Sequence, residues 1–287
     1  MKGASQNMSL IIQLEGGYAN QHQISLNDMA ILAKSIQNIS KNFEIKNNKY
    51  SYTDIYINAT QEGSFEILLD LLNNPLVQGL AINYLYDLLK DIKSFIIYTD
   101  KKVFIKELID EIYALSIELA EANSYDYDLE NKQQILEKKE KILNAEFSSF
   151  NSIQDISKLI KESDSETSNK PDSISFIMET NTNSNFKLDF NDRKKIHNIA
   201  CEILELDDIL VRGIPTHVTR STELSFKMKV PFFGTMKIYV SNGDLDIVTD
   251  YFKEQKQITV KIKPIVKMGD LIKTREGKLI EIIGEEL

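Results

Sequence analysis

Cysteine and histidine carry the nucleophilic and metal-binding chemistry that this 287-residue sequence could offer. Its single cysteine, Cys201, follows His197 by four residues, and on a helix that spacing would bring the two side chains together. One such pair is weak evidence for catalysis, because a nucleophilic cysteine also needs a polarising environment. We therefore expect Cys201 to be a small buried hydrophobic residue.

The motifs that mark catalytic and cofactor sites are absent from the sequence. The histidines, His22, His197 and His217, are far apart and belong to no HExxH or HxH arrangement, so no metal site is predicted. The sequence contains neither a GxGxxG nor a Walker phosphate loop, and no GxSxG nucleophile elbow. It therefore predicts no cofactor and no catalytic residue, and it favours a function other than catalysis.

Lysine side chains alternate with apolar residues along the strand-like segments near the end of the chain. Alternation with period two places the two sets on opposite faces of a strand. The outward set consists of Lys227, Lys229, Lys237, Tyr239, Lys261 and Lys263. A cationic surface with an aromatic ring could bind single-stranded nucleic acid or a nucleotide. Outward lysines are more often a solvated face that discourages edge-to-edge association, and the sequence favours that second interpretation.

The length of the chain predicts two domains, because 287 residues exceed the roughly 100–150 typical of one. We predict an α+β fold. Residues 1–163 form a β-α-β-β unit with a helical region, and residues 164–173 form a linker. Residues 174–287 form a β-rich domain whose barrel core covers 207–287. The linker is inferred from ESDSETSNKPDS, which is polar, lacks periodicity and contains a proline.

Short hydrophobic patterns predict the N-terminal elements. A strand covers 9–15, and a helix begins after Ser25 as N-cap and presents a lysine- and asparagine-bearing outer face up to about Lys46. Segments 53–60 and 64–71 form a predicted hairpin. Its turn supplies the candidate partner-contact residues Glu62, Gly63 and Ser64, although turn chemistry alone accounts for the glycine.

Helical spacing of apolar residues continues from the hairpin to the linker. It predicts helices over about 75–97, 103–121, 129–147 and 153–161, and we expect their numerous carboxylates to lie on solvated faces. After the linker, alternation and turn residues predict strands near 174–179 and 186–190, followed by a short helix near 192–199.

The segment after residue 207 contains three predicted strands, then a helix, then two strands. The strands cover about 209–219 with a bend at Gly213, then 222–230, 236–240, 258–263 and 278–283, and the helix follows Ser241. This order resembles the five-stranded Greek-key barrel called the OB-fold. Closure into a barrel would also remove exposed strand edges.

Charge and hydropathy indicate the setting in which the protein works. The net charge of −9 divides into −12 for residues 1–208 (21 basic, 33 acidic) and +3 for residues 209–287 (13 basic, 10 acidic). The most apolar stretch, 75–98, is interrupted by charged residues and predicts a core helix instead of a membrane span. A single cysteine fits a reducing compartment, and the N-terminal apolar run is too short for a signal peptide. We expect a cytoplasmic protein without membrane contact.

Two segments carry a resemblance to other proteins. The runs LIIQLEGGYANQHQISLNDMAILAKSIQNI and NATQEGSFEILLDLL resemble uncharacterised bacterial and prophage two-domain proteins in which such a unit precedes a small β-domain. The resemblance implies a mobile-element or phage-defence context and supplies no catalytic residue. The sequence favours a non-enzymatic protein-interaction or regulatory function, with a protein partner or a homo-oligomer. Binding of single-stranded nucleic acid or a nucleotide by the barrel is the alternative.

Overall fold

A computed structural model describes residues 9–21, 24–47, 65–70, 87–121, 128–162, 169–178, 184–221, 223–230, 234–269 and 275–284. The helices are α1 (Leu26–Asn47), α2 (described over 87–97), α3 (Thr99–Glu121), α4 (Leu129–Ser157), α5 (Phe190–Cys201) and α6 (Asn242–Glu254). The strands are β1 (Ser9–Glu15), β2 (Phe65–Asp70), β3 (Ser173–Met178), β4 (Ser184–Leu188), β5 (Ile203–Glu205), β6 (Ile209–Arg220), β7 (Leu224–Val230), β8 (Gly234–Tyr239), β9 (Ile258–Lys267) and β10 (Arg275–Gly284). The predicted α+β class is confirmed.

The chain divides into two compact units. The first, here called the N-terminal unit, comprises residues 1–101 and 145–200, and the second, the C-terminal unit, comprises residues 102–144 and 201–287. The helices α3 and α4 therefore contribute residues to both units. We predicted one linker, at residues 164–173. The chain passes between the two units after residues 101, 144 and 200.

The N-terminal unit contains a four-stranded sheet in the order β2-β1-β3-β4 with every neighbour antiparallel. Its interior side chains include Ile12, Leu14, Ile174 and Phe176, which are fully buried. The hairpin of β3 and β4, which the sequence assigned to the C-terminal domain, completes this sheet instead. Alternation indicates that a segment is a strand, but the choice of partner depends on pairing with β1, which is remote in sequence.

Residues 169–173, predicted to belong to a linker, pack against the end of β1. The Asp172 N–H donates a hydrogen bond of 2.7 Å to the Glu15 carbonyl oxygen. Gly17 has φ +54°, and a Cβ there would lie 2.2 Å from the Lys170 carbonyl oxygen. Glycine is thus required where the segment that leads into β3 approaches the end of β1.

Helix α1 begins where the sequence predicted. The Ser25 hydroxyl accepts a hydrogen bond of 3.0 Å from the Asp28 N–H, as an N-cap does. The predicted strand 53–60 lies outside the described residues. Helix α4 is continuous over a segment that we predicted to be two helices, because Phe150 and Ile153 are fully buried and their packing outweighs the low helix propensity of the adjacent serines and asparagine.

A cluster of four charged side chains lies buried among the helices of the N-terminal unit. It comprises Lys46 of α1, Asp91 of α2, Lys101 of α3 and Glu146 of α4, with side chains between 3% and 13% exposed. Lys101 Nζ lies 2.8 Å from one oxygen of each carboxylate. Lys46 Nζ contacts Asp91 and lies 3.4 Å from Glu146. Each lysine therefore meets both carboxylates, and we call this group the buried charge cluster.

The ring of Phe95 on α2 lies beside the buried charge cluster. Lys101 Nζ is 4.5 Å and Lys46 Nζ is 5.5 Å from the centroid of that ring, which adds a favourable cation–π interaction to the ion pairs. The sequence placed Lys46 on a solvated helix face, and the structure corrects this expectation. Its ion-pair partners, Asp91 and Glu146, come from helices that are remote in sequence, so no local pattern announces the burial.

The buried charge cluster should make stability depend on pH. Burial raises the pKa of Asp91, but attraction to Lys46 and Lys101 outweighs burial and holds the pKa of Asp91 below its usual value. Such a carboxyl contributes stability that is complete above the pKa of the unfolded chain, about 4, and is lost as pH falls through the lower folded pKa. We expect the free energy of unfolding in urea to decrease between about pH 4 and pH 2, and to do so less steeply in Asp91→Asn.

An exposed aspartate supplies the control for this pH dependence. Asp250 on α6 has a side chain that is 72% exposed, so Asp250→Asn removes one titratable carboxyl without removing a buried one. Asp250→Asn should retain the acid-side slope of the wild-type protein. An Asp91→Asn variant with the same slope as the wild type would contradict the assignment.

The C-terminal unit contains α3 from residue 102 to its end and α4 from its start to residue 144, and these segments run antiparallel. Glu111 pairs with Lys139 at 2.5 Å and Glu118 pairs with Lys132 at 3.4 Å. Between the two helices lies an apolar cluster of buried residues, namely Leu108, Ile112, Leu119 and Leu136. The hairpin of two helices therefore has its own small core.

The remainder of the C-terminal unit is a closed five-stranded barrel in the order β6-β7-β8-β10-β9, with β9 returning to β6. All neighbours are antiparallel except β8 and β10, which are parallel. Helix α6 lies between β8 and β9 in the chain, as predicted. The fully buried interior side chains include Phe226, Met228, Met236, Ile238, Ile258, Val260 and Ile262. Strand β5, which the sequence analysis did not find, extends the sheet beyond β9.

None of the helices in the described ranges combines the length and the apolar character that crossing a membrane requires.

Candidate functional site

The outward faces of β7 and β8 bring together four of the residues that the sequence singled out. Lys227 and Lys229 are exposed on β7, and Lys237 and Tyr239 are half-buried on β8. In the antiparallel pairing of these strands, Lys227 lies directly opposite Lys237. We call these four residues the β7–β8 surface.

The row of basic side chains formed by Lys227 and Lys237 is continued on β6 by a histidine. His217 lies opposite Lys227, so His217, Lys227 and Lys237 form one row across three strands. A β-bulge between Pro215 and His217 places two residues of β6, Thr216 and His217, against one of β7. The sequence did not indicate His217 as an outward residue, because strict alternation of side chains along β6 would turn it inward. The adjacent polar pair Thr216-His217 interrupts that alternation and is the signal that could have revealed the bulge.

Tyr239 is held in place by both of its neighbours. Its hydroxyl accepts a hydrogen bond of 3.0 Å from Lys237 Nζ and donates one of 3.0 Å to Glu276 Oε2 on β10. Lys237 Nζ also lies 4.4 Å from the centroid of the tyrosine ring. The hydrogen bond with Tyr239 raises the pKa of Lys237 above its usual value. Lys237 therefore stays charged at neutral pH and the aromatic ring is ordered before any ligand arrives.

The charge on the β7–β8 surface is unevenly neutralised. Lys237 faces a carboxylate of Glu223 at 3.5 Å and shares Tyr239 with Glu276. In the part of the chain that the structure describes, Lys227 and Lys229 have no ion-pair partner. Like charges directly opposite each other on neighbouring strands are destabilising. The pairing of Lys227 with Lys237 is thus an unfavourable contact in the protein alone, and an anion placed between the two would relieve it.

The two remaining candidate lysines do not join the β7–β8 surface. Lys261 and Lys263 lie on β9, and β6 separates β9 from β7 on one side while β10 separates it from β8 on the other. Lys261 pairs with Asp208 at 3.5 Å and lies opposite Glu281 on β10. Lys263 is exposed. Because β9 is not a neighbour of β7 or β8 in the barrel, Lys261 and Lys263 are separated from the β7–β8 surface.

The other chemical candidates from the sequence do not assemble into a site. Cys201, expected to be buried, is exposed because it ends α5, whose buried face is formed by Ile196 and Ile199. His197 is also exposed. Within the described residues, no group of three or more histidine, cysteine, aspartate or glutamate side chains is placed to hold a metal ion. The candidate contact residues Glu62, Gly63 and Ser64 lie outside the described residues.

Comparisons with known proteins do not identify a relative of this chain. No family model, no curated protein and no solved structure matches it. The barrel and the β7–β8 surface are therefore the features from which a function can be inferred.

Proposed function

We propose that the C-terminal barrel binds single-stranded nucleic acid along the β7–β8 surface. The observation that carries this proposal is the row of His217, Lys227 and Lys237, in which the two lysines stand directly opposite each other. Phosphate groups of a nucleic-acid strand would neutralise such a row and release counterions, which is the main source of affinity in non-specific binding.

Two further features support a nucleic-acid ligand. Proteins that bind single strands combine cationic grooves with aromatic rings on which bases stack, and Tyr239 supplies an ordered ring at the edge of the row. In OB-like barrels, the face formed by the second and third strands binds oligonucleotides. Strands β7 and β8 are the second and third strands of this barrel.

The acidic balance of the whole chain sets the expected strength of binding. With a net charge of −9, long-range attraction to phosphate is weak, so binding depends on the local row and should be sensitive to salt. Helix α6 carries much of the barrel's acidic charge, at Asp244, Asp246 and Asp250. The lysines lie on strands and these acidic residues lie on a helix. The barrel can therefore have a cationic face although its total charge is modest.

Replacing Lys227 and Lys229 together by glutamine should weaken binding of a short single-stranded oligonucleotide. Each lysine that contacts a phosphate contributes about 0.7 to the slope of log K against log salt concentration. We therefore expect the double variant to lower that slope by about 1.4. Fluorescence anisotropy of a labelled oligonucleotide, titrated at several salt concentrations, measures both the affinity and the slope.

A matched pair of lysines controls for net charge. Lys253 and Lys256 lie on α6 and just after it, and they pair with Asp250 and Glu254. Lys253→Gln with Lys256→Gln changes the net charge equally and should leave the salt slope unchanged. The proposal fails if the wild-type protein shows no salt-dependent binding, or if both double variants lose the same affinity.

The protein-interaction function that the sequence favours stays a prediction, and with it self-association as a homo-oligomer and the phage-defence or mobile-element context. Its contact candidates, Glu62, Gly63 and Ser64, lie outside the described residues. Size-exclusion chromatography with light scattering measures the oligomeric state directly. A monomer at all concentrations that binds the oligonucleotide would favour the nucleic-acid function alone.

A further inference from the structure

A cleft of about 600 Å³ lies in the N-terminal unit between the end of α4 and the outer face of α5. Its size falls in the range of roughly 300–1,000 Å³ that is typical of small-molecule sites. The residues around it that can recognise a ligand are Lys158, Glu162, Phe190, Arg193, Lys194 and His197. The cleft belongs to a different unit from the β7–β8 surface and uses none of its residues.

Three of these side chains belong to α5 and lie near one another on it. Arg193, Lys194 and His197 are spaced by one, three and four residues, and side chains three or four apart lie on the same face of a helix. Together with Lys158 from the end of α4, three permanent cations meet at the cleft. Glu162 is the carboxylate among the residues that line it. Lys158 also pairs with Asp155 at 2.8 Å, so the excess positive charge of the cleft comes from Lys194.

Arg193 is oriented toward the cleft by the backbone. Its side chain is 14% exposed, and one terminal nitrogen donates to the Ile160 carbonyl oxygen while the other donates to Glu162 Oε1. A guanidinium held in this way keeps its planar fork in one orientation, which suits recognition of phosphate or carboxylate oxygens.

Glu162 occupies the position that an anionic ligand would take. Its side chain is 80% exposed, and exposed ion pairs contribute little to stability, so an incoming anion can replace its carboxylate on Arg193 while the bond to Ile160 persists. Lys194 is exposed and has no ion-pair partner in the described part of the chain. The phenyl ring of Phe190 supplies an apolar wall beside these groups.

We propose that this cleft binds a small organic phosphate, with the phosphate on Arg193 and Lys194 and the apolar part of the ligand against Phe190. Arg193 supplies the terminal nitrogen that now contacts Glu162, and Lys194 supplies a second positive charge. Two neighbouring cations match the charge of a phosphate monoester, about −2 at neutral pH, better than the single charge of a carboxylate. A mononucleotide has the size and the two-part chemistry that the cleft offers.

Isothermal titration calorimetry of the full chain with AMP, adenosine and inorganic phosphate tests the proposal. AMP should bind, inorganic phosphate should bind more weakly, and adenosine should not bind at the same concentrations. Lys194→Gln should weaken AMP binding at least about tenfold, because it removes a charge-assisted hydrogen bond. Glu162→Gln should strengthen it by about threefold, because the resident carboxylate no longer competes for Arg193.

Lys195 supplies a control on the same helix. It is 61% exposed, pairs with Asp192 at 3.5 Å and does not line the cleft, so Lys195→Gln should leave AMP affinity unchanged. The Lys227→Gln, Lys229→Gln double variant should also leave it unchanged, which separates this site from the barrel. Equal affinity for AMP and adenosine, no binding of AMP, equal losses in Lys194→Gln and Lys195→Gln, or weaker binding in Glu162→Gln would each overturn the proposal.

Discussion

Glu146→Gln should lower the free energy of unfolding by about 3–5 kcal/mol, the cost of breaking a buried ion pair by removing one partner. The side chain of Glu146 is 3% exposed, and both Lys101 and Lys46 lie within 3.4 Å of it. With a neutral amide in its place, two buried lysines would share the single carboxylate of Asp91. The folded protein would be destabilised because the excess positive charge is buried away from water. Urea unfolding followed by far-UV circular dichroism measures it.

A paired replacement tests whether charge balance, and not the loss of Glu146 itself, causes the effect. Lys101→Met combined with Glu146→Met removes one charge of each sign and leaves Lys46 paired with Asp91. Replacing buried ion pairs by apolar residues of similar volume is often neutral or stabilising. The double variant should therefore recover most of the stability that Glu146→Gln loses.

An exposed ion pair provides the control for this experiment. Lys139 and Glu111 pair between α3 and α4 with side chains that are 27% and 57% exposed. Lys139→Gln should change the free energy of unfolding by less than about 1 kcal/mol, as exposed pairs do. A loss in Glu146→Gln no larger than that in Lys139→Gln would show that the buried charge cluster is hydrated in solution.

The second large effect is expected from Gly213→Ala in the barrel. Strand β6 pairs with β9 as far as Gly213 and with β7 from Ile214 onward. A Cβ at Gly213 would lie 2.3 Å from the Lys229 carbonyl oxygen and 2.9 Å from Met228 Cγ. Because the first contact is with the backbone of β7, the two strands must separate to admit the methyl group. Overpacking of this kind destabilises a protein by about 1–3 kcal/mol.

Gly243→Ala serves as the comparison for this substitution. Gly243 lies in the first turn of α6, and a Cβ there would meet nothing within 4 Å. Alanine in a helix is more favourable than glycine by about 0.5–1 kcal/mol, so the same chemical change should stabilise the protein slightly. Opposite signs for the two variants in urea unfolding are expected. A Gly213→Ala protein as stable as the wild type would mean that β6 and β7 are packed less closely than described.

The barrel shows how much of a fold can be predicted from local pattern. Alternation identified the strands that carry Phe226, Ile238 and Val260, and Gly213, where we predicted a bend, lies where β6 changes its partner from β9 to β7. All of these signals are local, since each depends on side chains within one strand or on one backbone position. Closure followed because strands with one apolar face must bury that face against each other.

The N-terminal unit shows where local pattern is insufficient. The hairpin that contains Ile174 and Phe176 was recognised as two strands but assigned to the C-terminal domain, whereas β3 pairs with β1. Strand pairing is a contact between distant segments, so local pattern does not reveal the partner. The wrong prediction for Lys46 has the same reason, because a charged residue considered without its tertiary partners is predicted to be exposed to solvent. Burial became favourable only when the carboxylates of Asp91 and Glu146 arrived from two other helices.

The sequence by itself determined most of the described helices and strands and the inward and outward faces of the barrel, because hydrophobic periodicity is a property of consecutive residues. It missed β5 and divided α4 into two helices. It also identified Lys227, Lys229, Lys237 and Tyr239 as outward residues. Only the tertiary structure decided that these four lie together while the strand of Lys261 and Lys263 neighbours neither β7 nor β8. It also decided that His217 joins their row through a β-bulge. Sites are assembled from segments that are distant in sequence. Which residues meet at a site depends on strand order and on ion pairs between different elements, and the local pattern of residues along the chain gives neither.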